Sequence, residues 1–324
     1  MIPVRRFHTI PILLLILLCG CTGPIATPDA PSATPSQNVA ALPTQIDIVT
    51  PAPTSTPAAT ATLIYIPQPP PVESPPPASS MTDVLSTALA DERRAIGDSF
   101  QRNIFERPFT AVDMDYRPYL DIGQIVTLGT SADWVYVSIP LAAAPPREVD
   151  AYYGIELDVN VDGRGDWLFF APAPASDEWT QYGLMIFIDS NVDVGGAHPC
   201  AHDPVNGETD GYDALVFDQG EGFDRDAAWV RRDPADGTVI QFAFAHGLIA
   251  HDRRFLWSVF ASGNEIEPGG FEFNDQVTLE AAGSPLLTSP HYPIQAISLY
   301  DSTCRWAYGF TPFGTEPGIC GGSR

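Results

Sequence analysis

The chain has 324 residues and a formal net charge of −24, with 40 acidic residues against 16 basic ones, every one an arginine. So acidic a surface disfavours nucleic acid, whose binding depends on neutralising phosphates. The charge itself is explained by solubility or by cation binding.

Residues 1–20 read as a lipoprotein signal peptide. Arg5 and Arg6 form a basic start, and Ile10 to Leu18 an apolar core too short to span a bilayer as a mature helix. Leu18-Cys19-Gly20-Cys21 follows directly and looks like a bacterial lipobox. In that family of signals the last cysteine, here Cys21, is acylated and becomes the mature N-terminus, with buried methylenes as the anchor. The alternative is an ordinary signal peptide with incidental cysteines. The expected location is extracytoplasmic, with the chain held to the bacterial cell membrane through Cys21.

Residues 21–80 read as a disordered tether. Proline, threonine, alanine and serine dominate, and such a composition buries too little apolar surface to offset chain entropy. The runs Pro69-Pro70-Pro71 and Pro75-Pro76-Pro77 favour extended polyproline II. Leu63-Ile64-Tyr65-Ile66 is an apolar patch that either docks on the domain or is one more disordered spot in the tether.

Residues 81–324 read as one folded domain. Thr82 or Asp83 caps a short helix to about Ile96, with Leu85, Leu89 and Ile96 on one face. Asn103-Ile104-Phe105-Glu106-Arg107-Pro108-Phe109 has no clear period. Strand signals then take over. They include 134–139, 153–157, 167–170, 184–188, 228–231, 238–244, 255–260 and 276–279. Asp233-Pro234-Ala235-Asp236-Gly237 marks a hairpin connection. Many short strands with almost no helical periodicity predict an all-β fold, a jelly-roll-like β-sandwich.

Two strand ends carry an aspartate-rich phrase. In Asp158-Val159-Asn160-Val161-Asp162-Gly163-Arg164-Gly165-Asp166, the side chains of Asp158, Asn160, Asp162 and Asp166 and the carbonyl of Arg164 suit calcium, which takes six to eight hard oxygens. The phrase resembles the first half of an EF-hand loop but has Phe169 where that loop has its bidentate glutamate. Its strand-like flanks predict a calcium-tightened hairpin. Asp189, Asn191 and Asp193 repeat the pattern in Asp189-Ser190-Asn191-Val192-Asp193. The alternative is that Asp, Asn and Gly are turn formers.

Cys304 and Cys320 are expected to pair, since disulfides persist outside the cytoplasm. Closing such a loop stabilises by roughly 3 kcal/mol in the chain-entropy model. Cys200 is left in His198-Pro199-Cys200-Ala201-His202, which suits either zinc or copper ligation or a polar surface loop with a lone thiol.

The phrase Tyr153-Gly154-Ile155-Glu156-Leu157-Asp158 with its aspartate-rich turn resembles strands of carbohydrate-binding sandwiches of the family 9 and DOMON type. Asn103 to Phe109 and Asp301-Ser302-Thr303-Cys304-Arg305 resemble phrases of a group of bacterial lipoproteins with this layout. The first resemblance implies a surface-displayed module that binds polysaccharide, stacking sugar on an aromatic ring beside a few polar groups. Trp179, in Ser176-Asp177-Glu178-Trp179-Thr180, has the most polar setting of the tryptophans. The alternatives are a glycosidase-like hydrolase, whose two carboxylates need a defined separation, and a structural envelope protein. The chain has no Gly-x-Ser-x-Gly, His-Glu-x-x-His or phosphate-loop motif.

Overall fold

The alternating apolar and aromatic runs form two antiparallel sheets. The computed structural model describes residues 65–99, 104–194, 211–250, 252–271, 279–316 and 319–320, all within the unit Leu63–Arg324. One sheet has five strands: β1 (Pro77–Thr82), β3 (Ile125–Thr130), β4 (Trp134–Pro140), β11 (Val239–Ala245) and β10 (Ala228–Arg232), adjacent in that order. The other runs β2 (Glu106–Arg107), β13 (Tyr300–Ser302), β12 (Phe255–Ser262), β5 (Tyr152–Asp158), β6 (Trp167–Pro172), β7 (Met185–Ile188), β8 (Ala214–Asp218) and β9 (Glu221–Gly222). A short β14 (Trp306–Tyr308) also pairs with β12. The fold is an all-β sandwich.

The core lies between the sheets. Val135, Val137 and Ile139 alternate inward from β4, and Phe242 and Phe244 from β11. They meet Ile155, Phe169, Ile186 and Trp257 of the larger sheet, with the Phe169 and Phe244 rings 4.8 Å apart. The outer face of that larger sheet is buried too. Leu168, Phe170 and Phe260 pack there under Tyr212, Phe271 and Tyr300. All eight residues of β12 are buried, which is why its sequence is apolar on both faces, with Ser258 and Ser262 as its polar residues, rather than alternating. Gly154 is required where β5 crosses this layer, because a Cβ there would collide with the Phe260 ring and the Phe169 carbonyl.

The start of the domain differs from the sequence expectation. No helix runs from Thr82 to Ile96. Thr82 ends β1, and a seven-residue 3-10 helix, Ser86–Glu92, follows. The ordered chain also begins before Met81. The Gln68 amide donates to Asp226 (2.9 Å), Arg231 donates to the Val72 carbonyl (2.7 Å), and β1 pairs with β3 from Pro77 onward. β1 is an edge strand, where proline's missing N–H breaks no ladder bond, so a proline-rich composition conceals a strand. Tyr65 docks on the domain, with its hydroxyl on Asp226 and Arg225 over its ring. Of the strand expected over 276–279, residues 276–278 lie outside the described residues, and Leu279 opens a helical turn.

Cys304 and Cys320 are bonded, with Cα atoms 5.0 Å apart. Cys21, Cys200, His198 and His202 lie outside the described residues. No described helix is long and apolar enough to cross a membrane.

A chain beginning at Met81 is expected to melt below one beginning at Leu63, by about 2–4 °C for each kcal/mol lost. Equal midpoints would show that the Tyr65–Ser80 contacts contribute nothing.

Candidate functional site

The two aspartate-rich phrases form matching loops side by side. β5 and β6 pair antiparallel as a hairpin around the first, and β6 pairs β7, which leads into the second. In the first, one Asp158 oxygen accepts the Val161 amide (2.5 Å) and the other the Gly163 amide (2.9 Å). In the second, Asp189 accepts the Val192 amide (2.7 Å) and, on its other oxygen, the Val194 amide (2.9 Å). Val161 and Val192 both take positive φ, 62° and 65°, which is unfavourable for a β-branched residue and persists only where the surroundings impose it. The Asp189 amide donates to the Asp166 carbonyl, which joins the loops.

Inside the first loop Asp166 accepts the Val159 and Asn160 amides and the Asn160 side chain. Asp162 accepts the Arg164 amide, and Asn191 donates to Asp193. The expected ligand residues are therefore gathered into two adjoining turns, with Asp158, Asp166 and Asp189 engaged by backbone N–H groups. Asp158 is fully buried, and that burial pushes its carboxyl up to about 6.

A cleft opens beside these loops. It has a volume of about 430 Å³ and is lined by Trp167, Phe217, Phe223, Asp224 and Leu248, among others. Trp167 follows Asp166 directly and starts β6. Phe223 is fully exposed, on the turn between β9 and β10. Trp179 lies elsewhere, packed toward Tyr136. It is half-buried, with the Arg231 guanidinium 4.1 Å from its ring centre, so a sugar would have to displace that cation to stack on the covered face.

The strongest polar feature is one the sequence reading did not single out. Asp83, just after β1, Glu106 in β2 and Asp301 in β13 bring carboxylate oxygens within 4.8 Å of one another. Glu106 and Asp301 stand directly opposite across the β2–β13 ladder, where like charges destabilise. Both are fully buried, as is neighbouring Asp121. Asp121 is well provided for: Tyr116, Thr87 and the Ser86 amide all donate to it. Asp301 accepts the Ile122 amide on Oδ2 (2.6 Å). Its Oδ1, both Glu106 oxygens and Asp83 Oδ2 are buried without a partner. Asp83 and Glu106 are close enough to share a hydrogen bond, which needs a proton on one of them. Burial pushes Asp83 up to about 7 and, with the neighbouring carboxylates, raises Glu106 and Asp301 well above the carboxylate range.

No family model, curated protein or solved structure matches this chain. Glu106 of the phrase Asn103–Phe109 and Asp301 of the phrase Asp301–Arg305 pair across β2 and β13. A partial signal was present in the sequence: Asp121 sits between Leu120 and Ile122, and Glu106 and Asp301 each directly follow two apolar residues. Acids are almost never fully buried unless paired.

The raised carboxyls set the direction of the pH response. Asp83, Glu106, Asp301 and Asp158 keep their protons in the folded chain after the unfolded chain has released them, so stability falls as pH rises above their unfolded values near 4. With chelator present, the melting midpoint is expected to decline from about pH 5 to pH 8. A midpoint that rises across that window would contradict the assignment.

Proposed function

We propose that this protein is a lipid-anchored, surface-displayed module that binds carbohydrate in the cleft between Trp167 and Phe223, with calcium in the two adjoining aspartate loops. The observation that carries the reading is the cleft itself: aromatic walls, one wholly exposed ring and Asp224 at its side. Sugars present an apolar face that stacks on such rings and hydroxyls that hydrogen-bond to a carboxylate. An unpartnered phenylalanine in water favours any ligand that covers it. Calcium in the loops would fix the end of β6, and so the Trp167 ring, from the residue before it. Acylation of Cys21 would hold the domain at the membrane, with the proline-rich segment as spacer.

The glycosidase alternative is weaker on one specific ground. Among the described residues, the one group of three convergent carboxylates has Glu106 and Asp301 fully buried, so it does not present the accessible carboxylate pair that a glycosidic bond needs.

The test is retention of the purified chain on a glycan array and on insoluble polysaccharides. Trp167→Ala and Phe223→Ala are each expected to weaken retention about tenfold or more, as loss of a stacking contribution of about 1–3 kcal/mol would. The melting midpoint is expected to change little in Phe223→Ala and to fall in Trp167→Ala, whose ring also packs against the core. Trp179→Ala is expected to leave retention intact, and chelation to weaken it. Retention indifferent to both cleft variants, or no retention on any glycan, would overturn the reading.

A further inference from the structure

Glu106 and Asp301 face each other, fully buried, in neighbouring strands, and Asp83 joins them from the end of β1. Four of their oxygens have no donor. The charged groups that act on Glu106 are Asp301, Asp83 and Asp121, all acidic. Arg107 is the next residue in the chain, but its guanidinium is committed to Asp98 and to the carbonyls of Ala282 and Gly283. Ser86, whose amide donates to Asp121, carries a buried hydroxyl that also lacks a partner. Several buried acceptors with no donor call for something positive among them.

We propose that Asp83, Glu106 and Asp301 are the ligands of a structural divalent cation of the hard, oxygen-preferring class. The donor set is all carboxylate, without nitrogen or sulfur, which selects calcium, magnesium or manganese over zinc or copper. The role is structural because Glu106 and Asp301 are fully buried and the Asp83 Oδ2 beside them is out of water as well. The ion joins three stretches far apart in sequence: the end of β1, the edge strand β2 and β13 beside the central strand β12. It is distinct from the aspartate loops and does not depend on the carbohydrate reading. The competing occupant is a shared proton, and the experiment separates the two.

The full chain is stripped with EDTA, and its melting midpoint is read at pH 7.5 with chelator and then with millimolar calcium, magnesium or manganese chloride. At least one ion is expected to raise the midpoint. Glu106→Gln is neutral without having to take up a proton on folding, so it is expected to melt above the stripped wild type and to lose the cluster's share of the ion-dependent rise. Should Glu106→Gln not fold, Asp83→Asn, at the half-buried member, reads the same loss. Asp158→Asn with Asp162→Asn, which alters a loop and leaves the cluster intact, is expected to keep an ion-dependent rise that Glu106→Gln loses. A wild-type midpoint indifferent to all three ions means that the cluster holds protons, and overturns the proposal. A rise undiminished in the cluster variants, or one that vanishes in the loop variant, overturns it as well.

Discussion

Two carboxylates face each other across a β ladder, out of reach of water. Asp301 and Glu106 are the point on which the end of β1, β2 and β13 converge. Asp301 lies beside Ala261 of β12 on one side and Glu106 of β2 on the other. It offers a carboxylate oxygen within 4.8 Å of Asp83 and Glu106, and its Oδ2 holds the Ile122 amide at the approach to β3. Leaving a buried charge uncompensated costs several kcal/mol, a large part of a typical domain's net stability. The strands here survive only if a proton or a cation occupies the gap. The choice between them sets how the protein responds to pH and to metal.

A second polar knot shows what compensation looks like. Glu156 accepts from Arg305 (2.9 Å) and Tyr212 (2.7 Å) on one oxygen and from Ser258 (3.2 Å) on the other. Arg305 also donates to the Gly163 carbonyl. The residue before it, Cys304, is disulfide-bonded to Cys320. The C-terminal stretch is thereby locked to the first aspartate loop, and Gly165 must be glycine because a Cβ would strike Tyr212 and Glu156. Removing one member of such a pair leaves the other buried and unpaired, at a cost of about 3–5 kcal/mol. The contrast is instructive: Glu156 has its cation in the chain, while Glu106 has other acids as its charged neighbours.

Much of this was legible in the residues. The long strands β4, β5, β11 and β12 announce themselves by apolar and aromatic content, and the aspartate-rich turn after β5 marks its hairpin. The Cys304–Cys320 bond followed from compartment and nearness. Other features were hidden for physical reasons. β2, β13 and β14 are only two or three residues long, too short for a period to show. β1 was masked by prolines that an edge strand tolerates. Leu85 and Leu89 gave a helical spacing, but the pairing of β1 with β3 took the first residues of that helix and left a 3-10 turn. The carboxylate cluster draws on Asp83, Glu106 and Asp301; the apolar residues before Glu106 and Asp301 hint that each is buried, but only the fold brings the three together.

The most direct test is diffraction from crystals of the full chain grown with manganese, recorded with anomalous signal. The account predicts a peak enclosed by Glu106, Asp301 and Asp83, within coordination distance of an oxygen from each. Carboxyl oxygens of Asp83 and Glu106 paired at about 2.5–2.7 Å, with no anomalous peak between them and Asp301, would show protons in place of the metal and contradict it.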